Sequence, residues 1–458
     1  MPGRAVGWWV LLAVTGPLAL VAIAHWVWAT SLHAPVLYGE GAVAHAAILA
    51  REHLEYAPLD MTSDLIFVAA NYPPLYFQLA GIGDPFISGR LLSIGATLFV
   101  AGAIASAARG GGRIVALSLA TAWLAAIPVT VWAPALKPDL VALALTVVAV
   151  LGLRERPRRP LVAGIAIALA VCAKPTAGLP AVALGVLLLW SDRSAAGRYV
   201  AAAAATGVAV LIATGSFGVA TFEHVVTWNA LPWRAEQAAL LVIVGLLVSG
   251  VTILRYAIGR RAPDAIAAYA LAAGAIVVLG GRDGATINYL LDLSVAASLG
   301  IAMLASGLRR SNVYPAAVAV QALIAVVLFD PFGIMPVRAI SSGAWAPADR
   351  IAIVRAIPGV LLVEDSGLLV ADGREPLVDD IFLWSRLAER GDLPAGDHLI
   401  SSVRTGEFDA VVSETDLARL ALAPLYERQR WSSALVSAVL DRYRLDRETN
   451  GLYVYLRR

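Results

Sequence analysis

Residues 31–89 read SLHAPVLYGEGAVAHAAILAREHLEYAPLDMTSDLIFVAANYPPLYFQLAGIGDPFISG and follow the first apolar stretch of the chain. This first loop contains YGEG at residues 38–41 and NYPPLY at residues 71–76. Elsewhere the sequence is mostly lipid-soluble helix or short connection, and a long loop in such a protein usually has a specific role. We therefore expect the loop to form half of an active site at a membrane surface, with Glu40 as its reactive carboxylate.

The composition is that of an integral membrane protein. The 458 residues are 59% hydrophobic and 15% charged, and the mean hydropathy is +0.75, whereas soluble domains are about 25% charged. No basic tract with interleaved aromatic residues occurs, which argues against a nucleic-acid partner. The single cysteine, Cys172, cannot form an intramolecular disulfide.

Apolar stretches long enough to cross a bilayer recur along the first 330 residues. A spanning helix needs about 20 apolar residues, with a range of roughly 17–25. The first stretch is longer than the apolar core of a signal peptide, so we expect an uncleaved helix. The predicted fold is a polytopic α-helical membrane protein with about eleven spans, a count that rests on the length criterion. The predicted spans are 8–29, 90–108, 114–133, 139–153, 161–173, 177–190, 199–217, 238–254, 263–281, 287–306 and 313–329.

Arginines in the short connections predict the orientation. They concentrate in the connections that are cytoplasmic if the N-terminus is inside, as the positive-inside rule requires. Several tryptophans fall at predicted span ends, where the amphipathic ring prefers the interface. We expect a multi-pass protein of the cell inner (plasma) membrane, N-in and C-out, with its active site on the extracytoplasmic side.

The composition changes after about residue 337. Residues 338–458 are rich in charge and contain predicted strands at 360–363, 410–412 and 453–456, separated by helical patterns at about 349–357, 379–390 and 432–444. We expect a small extracytoplasmic α/β domain here, following a catalytic domain of residues 1–337. It has no glycine-rich phosphate motif, so we interpret it as a scaffold or acceptor-binding domain.

Polar residues at the predicted outer ends of the spans fall on one side of the membrane. Ionisable groups at membrane depth cost several kcal/mol unless they are paired or hydrated, so the set predicts a wet cavity. For any one member, the alternative is a loop residue at the interface. The members that we assign to the site are Glu40, Asp64, Tyr72, Tyr76, Arg90, Lys137, Asp139, Lys174, His224, Arg282, Asn288 and Tyr289.

Glu40 is flanked by glycines, which allow a ligand to approach the main chain closely. Residues 43–55 then have the pattern of an amphipathic helix lying on the membrane, with Arg51, Glu52 and Glu55 facing outward. A carboxylate held there can act as a general base. The alternative is an acidic residue that stabilises a helix N-terminus.

Four segments resemble the GT-C membrane glycosyltransferases. They are NYPPLYF at 71–77, which opens a second interfacial helix, GRLLS at 89–93, LKPDL at 136–140 and NYLL at 288–291, in addition to the first-loop acid Glu40. The resemblance covers most of residues 1–330 and is greatest to the bacterial protein-mannosyltransferase-like and aminoarabinose-transferase-like branch, whose members also carry C-terminal outer domains.

The resemblance implies an inverting glycosyltransferase that takes a sugar from a polyprenyl phosphate. Glu40 matches the acid that deprotonates the acceptor, and Asp139 matches a second acid. Related aminoarabinose transferases place a lysine just before the proline pair, where this chain has Asn71 and Tyr72.

The donor phosphate must therefore find its cation elsewhere. Lys137, Lys174 and Arg282 are the candidates, because phosphate needs positive charge and several hydrogen-bond donors. Alternatively, either lysine snorkels from a helix end, or Lys137 pairs with Asp139. Arg282 lies in a glycine-rich, flexible stretch beside Asp283.

No cofactor is expected. Some members of the superfamily use a divalent metal, and Glu40 with Asp139 would be its ligands here, but no acidic or histidine-rich spacing in the sequence requires one. The expected partners are the polyprenyl-phosphate-linked sugar, membrane lipids and an extracytoplasmic acceptor that is a glycan, a lipid or a protein.

Three rival functions fit parts of the sequence. A secondary transporter should have repeated halves with broken helices near the midplane, and the first loop has no repeat in the second half. A non-catalytic assembly or sensor subunit would tolerate Glu40→Gln. A polysaccharide polymerase or ligase would depend instead on an outer arginine and histidine.

Overall fold

The computed structural model describes residues 6–56, 66–155, 157–259, 264–329, 347–393 and 396–458. Within these ranges helices dominate, and four strands near the C-terminus form one sheet. Asp64 lies outside the described residues. The chain divides into two compact units: unit 1 is Met1–Thr30, Arg90–Ala213 and Pro232–Pro336, and unit 2 is Ser31–Gly89, Thr214–Leu231 and Val337–Arg458.

Unit 1 is helical. Each apolar stretch predicted as a span contains at least one helix, although 114–133 is divided into two helices before Pro128, in keeping with the helix-ending effect of proline. The helices are numbered in chain order through both units, so α2, α3 and α11 belong to unit 2 and are given below. The helices of unit 1 are α1 Val6–Thr30, α4 Pro85–Ala107 (from Arg90 onward), α5 Arg113–Leu124, α6 Ile127–Trp132, α7 Asp139–Arg154, α8 Pro160–Ala173, α9 Gly178–Ser191, α10 Arg193–Ala213, α12 Ala235–Gly259, α13 Ala265–Leu279, α14 Leu291–Met303, α15 Ala305–Leu308 and α16 Val313–Phe329.

Among the described residues, four helices are long and apolar enough to cross a membrane, namely α1, α4, α10 and α12. Others, such as α8 and α16, are equally apolar but shorter. The long helices expose large apolar side chains, including Leu240, Ile243 and Leu254 on α12. Exposed apolar surface of this extent is typical of contact with lipid.

Packing within unit 1 brings distant helices together. Helix α1 packs against α5 and α16, while α7 and α10 both pack against α8. Buried polar side chains in this core bond to neighbouring helices: Trp8 Nε1 donates to Leu308 O at 3.3 Å, and Ser118 Oγ donates to Trp8 O at 2.9 Å. Such pairing satisfies polar groups where water is scarce.

Unit 2 contains the sheet. Strand β1 (Leu361–Val363) pairs in parallel with β2 (Ala410–Ser413), and the antiparallel strands β4 (Leu452–Arg457) and β3 (Tyr443–Thr449) complete the order β1-β2-β4-β3. The three predicted strands are confirmed. The helices of this unit are α2 Glu40–Leu49, α3 Pro74–Ala80, α11 Val219–Phe222, α17 Pro347–Arg355, α18 Gly367–Ala371, α19 Ile381–Arg390, α20 Gly396–Thr405, α21 Leu425–Arg428 and α22 Ser433–Arg442.

The first loop shares a core with the C-terminal domain, a grouping that the sequence did not predict. Phe67 and Trp228 stack with ring centroids 5.2 Å apart and belong to the same buried cluster as Leu383 and Trp384. The main-chain N–H groups of Ile66 and Phe67 both donate to Leu377 O. Residues 338–458 therefore fold together with parts of residues 31–89 and 214–231.

The prediction of an amphipathic interfacial helix over residues 43–55 is wrong. Helix α2 runs from Glu40 to Leu49, a 3₁₀ turn follows at Ala50–Glu52, and residues 40–47 are all buried. A helix buried on every side is part of a core and does not lie on a membrane surface. Helix α2 packs against α3 and α18, and Glu55 is also buried.

Candidate active site

In unit 1, three segments that are far apart in sequence meet at Asp139. This residue opens α7, where a carboxylate is favoured by the helix dipole. Lys174 directly follows α8 in an extended conformation, as expected for a residue before proline. Lys174 Nζ donates to Asp139 Oδ1 at 2.5 Å, and Asn288 Nδ2 donates to the same oxygen at 2.7 Å. The hydrogen-bonded ion pair of Asp139 is thus with Lys174, while the alternative considered from the sequence was Lys137, two residues before it.

Tyr289 connects this pair to Arg282. Lys174 Nζ lies 5.3 Å from the centroid of the Tyr289 ring, and Arg282 Nη2 donates to the Tyr289 hydroxyl at 2.8 Å. Lys137 is two residues before Asp139 and half-buried, with its carbonyl accepting from Ser93 Oγ at 3.1 Å. We call Lys137, Asp139, Lys174, Arg282, Asn288 and Tyr289 the cationic cluster.

The glycine-rich loop around Arg282 is held by many contacts, contrary to the expectation of a flexible stretch. Asp283 is buried, and its Oδ1 accepts a hydrogen bond from Arg234 Nε at 2.7 Å. Its negative charge is therefore paired with Arg234. Gln237 Nε2 donates to Arg282 O at 2.9 Å and to Ala285 O at 3.0 Å. Arg234 and Gln237 were missed at the sequence level, because their partners are more than 40 residues away.

Arg90, another of the predicted site residues, lies beside the end of α1. It is fully buried, and its Nη1 donates to Ala29 O at 2.9 Å, in the last turn of α1. A cation is favoured at a helix C-terminus, so this contact fastens α4 to α1.

In unit 2, Glu40 is the first residue of α2 and is fully buried. Gly39 precedes it with φ +77°, a left-handed conformation that glycine adopts readily. Glu40 Oε2 accepts a hydrogen bond from Val36 N at 2.7 Å, across the turn that leads into the helix. This hydrogen bond helps to orient the Glu40 side chain.

Other predicted residues of unit 2 have structural contacts. Tyr76 is fully buried and donates to Gly89 O at 3.1 Å, and Tyr72 is half-buried, with its carbonyl accepting from Tyr56 Oη at 2.5 Å. His224 stacks on Trp228 with centroids 3.9 Å apart, and burial lowers its pKa to about 4. His224 is thus a neutral ring packed in the core of this unit.

Two acids of the C-terminal domain lie close to α2 and were missed. Asp379 Oδ2 lies 3.1 Å from His45 Nδ1, and Asp379 Oδ1 accepts from Ala69 N at 2.7 Å. Asp365 follows β1, and Glu40 is one of the charges that act on it. Burial raises the pKa of Asp365 to about 8, and the nearby Glu414 adds to this effect.

Asp365 should make stability depend on pH. Because its pKa rises from 3.8 to about 8 on folding, the folded form holds a proton that the unfolded form has lost, and stability falls as pH rises between these values. Asp365→Asn, which cannot ionise, should raise the thermal midpoint little at pH 4 but by several degrees at pH 8, since about 1 kcal/mol moves the midpoint by roughly 2–4 °C in a unit of about 150–250 residues. Tryptophan fluorescence can follow the unfolding.

The control for this experiment is Asp446→Asn, on the largely exposed strand β3. Its effect on the midpoint at pH 4 and at pH 8 is expected to differ far less than that of Asp365→Asn. A difference between Asp365→Asn and the native protein that does not grow with pH would contradict the assignment.

Metal ligands do not cluster in the parts of the chain that the structure describes: no three histidine, cysteine or acidic side chains are placed to hold one ion. The expectation that no metal is required remains a prediction.

Comparisons with known proteins identify the fold. No protein-family model matches the sequence, and no curated protein sequence matches it either. Two solved structures of ArnT from Cupriavidus metallidurans, one bound to undecaprenyl phosphate and one in the apo state, are similar to this chain with a TM-score of 0.55. They are 15% and 16% identical to it, and each match covers 97% of this chain and 98% of the other. The chain therefore has the fold of these ArnT structures, the GT-C fold that the sequence resemblance predicted.

Proposed function

We propose that this protein is an inverting glycosyltransferase that moves a sugar from a polyprenyl-phosphate donor to an extracytoplasmic acceptor. The observation that carries the proposal is the cationic cluster, in which Lys174, after α8, meets Arg282 and Asn288, from the connection between α13 and α14, around Asp139 and Tyr289. The similar structure bound to undecaprenyl phosphate supports the class of donor.

The donor phosphate would be bound by the cluster's positive charges. Arg282 offers a planar set of donors that suits phosphate oxygens, and Lys137 adds a compact charge. Lys174 is paired with Asp139, which fixes the position of its ammonium group. From that position the positive charge of Lys174 would also attract the phosphate. Asp139 Oδ2 is buried and accepts no hydrogen bond from the described residues, which suits it to receive one from a sugar hydroxyl.

Glu40 would take the proton of the acceptor. In the proposed step, the acceptor oxygen or nitrogen attacks C1 of the sugar from the face opposite the phosphate, and its proton moves to the Glu40 carboxylate. The bond from C1 to the phosphate oxygen breaks, and polyprenyl phosphate leaves with the electron pair. A phosphate is already a weak base, so cations suffice to stabilise it. A glycosidase instead needs a second carboxyl group to protonate its leaving group.

The proposed setting is the inner membrane, with the site on the extracytoplasmic side and the N-terminus inside. The acceptor is a lipid, a glycan or a protein, and no metal takes part. The test is a purified preparation in lipid nanodiscs, given radiolabelled polyprenyl-phosphate sugars and membrane extracts as acceptors. Label moving to an acceptor supports the proposal, and no transfer or release from any donor would contradict it.

Arg282→Gln should weaken donor binding. Losing a charge-assisted contact to phosphate costs about 1.5–3 kcal/mol, which corresponds to a roughly 10- to 150-fold higher Kd. Undecaprenyl phosphate, the kind of lipid released in the proposed step, makes the same phosphate contact, so its Kd in nanodiscs can report this loss. The matched control is Arg309→Gln, an exposed arginine of unit 1, which should bind the lipid normally. Equal Kd values for Arg282→Gln and the native protein would exclude Arg282 from the phosphate site.

A further inference from the structure

The parallel strands of the C-terminal domain end in an acidic edge. Strand β1 continues into Glu364, and β2 ends at Ser413 and continues into Glu414. Ser413 Oγ donates to Glu364 Oε2 at 2.6 Å, and Glu414 N donates to the same oxygen at 2.8 Å. The carboxyl ends of parallel strands are where α/β proteins commonly build their sites.

Arg430 neutralises this edge. Its Nη1 donates to Glu364 Oε1 at 2.9 Å and to Glu414 Oε2 at 2.7 Å, and the residue is 7% exposed. Arg350 bonds to the other oxygen of Glu414 at 2.7 Å. Glu364 is buried and Glu414 is half-buried. Because both carboxylates are held by these hydrogen bonds, the guanidinium of Arg430 is fixed in orientation.

The face of that guanidinium lies on Tyr38. Its Cζ is 3.8 Å from the centroid of the Tyr38 ring, within the range of a cation–π contact. Tyr38 is two residues before Glu40, separated from it by the left-handed Gly39. Lysine would not reproduce this contact, because it lacks the planar group that stacks and bonds at the same time.

A second contact holds the chain on the other side of Glu40. A side chain at Gly41 would collide with Ser366 Oγ and Gly367 N, so the main chain is pressed against the turn that opens α18. Ser366 Oγ donates to Asp379 O at 2.6 Å, which fixes this turn. Gly367 in turn lies against Pro35. Tyr38 before Glu40 and Gly41 after it therefore both contact the C-terminal domain.

We infer that the C-terminal domain positions Glu40 for proton transfer, with Arg430 as the positioning residue that acts through Tyr38. The inference rests on the proposed function of Glu40. Neither Arg430 nor Tyr38 needs to touch the substrate. The domain thereby gains a role in the reaction itself, in addition to the scaffold or acceptor-binding role expected from the sequence.

Tyr38→Leu and Tyr38→Phe form the matched pair that tests this inference. Phenylalanine keeps the ring, whereas leucine removes it and leaves the ion pairs of Arg430 intact. Misplacement by about 1 Å can cost roughly 100-fold in rate, so Tyr38→Leu and Arg430→Lys should lower kcat about 10- to 100-fold, with Tyr38→Phe close to the native protein. The Kd for undecaprenyl phosphate should not change.

Hydrogen exchange gives a readout that does not need activity. The peptide covering residues 36–44 should exchange faster in Tyr38→Leu and Arg430→Lys but not in Tyr38→Phe. Unchanged exchange in Tyr38→Leu would overturn the positioning role, and so would faster exchange with an unchanged kcat. If the native protein transfers no sugar, the proposed function fails, and exchange in this peptide still decides whether Arg430 and Tyr38 hold the segment.

Discussion

Replacing Glu40 by glutamine is expected to lower the rate of sugar transfer by about 10²–10⁴-fold, the usual contribution of a positioned general base. Glutamine has the same shape and can accept the hydrogen bond from Val36 N, so α2 should begin at the same residue. The variant should fold normally and bind undecaprenyl phosphate as tightly as the native protein, because the proposed phosphate contacts belong to the cationic cluster.

The matched control for this variant is Glu52→Gln, which changes an exposed acid of the same loop. It should retain the native rate. Transfer can be measured from a radiolabelled polyprenyl-phosphate sugar under single-turnover conditions. If Glu40→Gln transfers sugar at the native rate, Glu40 is not the base, and the subunit hypothesis becomes the better explanation of the sequence.

Replacing Asp139 by alanine is expected to destabilise unit 1 by about 3–5 kcal/mol, the cost of breaking a buried ion pair from one side. Lys174 is only 7% exposed, and the change would leave its charge without the carboxylate 2.5 Å away. Asn288 would also lose its acceptor. The measurement is the unfolding of the purified protein in detergent, followed by temperature or denaturant.

The double variant Asp139→Leu with Lys174→Met separates stability from function. Replacing both partners of a buried pair by apolar side chains is often neutral or stabilising, so most of the lost stability should return. Donor binding should not return, because the positive charge of Lys174 has been removed. Native stability in Asp139→Ala, or native binding in the double variant, would contradict the proposed role of the pair.

The helices of this fold could be predicted because lipid allows few alternatives. A backbone in a bilayer must satisfy its own hydrogen bonds, so apolar stretches such as 313–329 had to be helical. Strands β1 and β2 were predicted from their buried apolar runs. Strand β3 was missed because its residues are charged and mostly exposed, which gives it no apolar pattern.

The contacts of the site were harder to predict. Asp139 pairs with Lys174, 35 positions away, whereas the pairing considered from the sequence, as one alternative, was with the nearby Lys137. The alanine-rich helix α2 has a composition that suits either a membrane surface or a protein core, and only its partners α3 and α18 show which applies. The role of Arg430 could not be predicted from the sequence, because it depends on a contact with Tyr38, nearly 400 residues earlier.

The most direct test of the proposed mechanism is to measure lipid-phosphate binding and sugar transfer on the same nanodisc preparations of three proteins. The native protein should bind undecaprenyl phosphate and transfer sugar, Glu40→Gln should bind it equally well without transferring, and Arg282→Gln should bind it roughly 10- to 150-fold more weakly. If Glu40→Gln loses binding while Arg282→Gln keeps it, or if both variants transfer like the native protein, the proposed division between a base on α2 and a phosphate site in the cationic cluster is wrong.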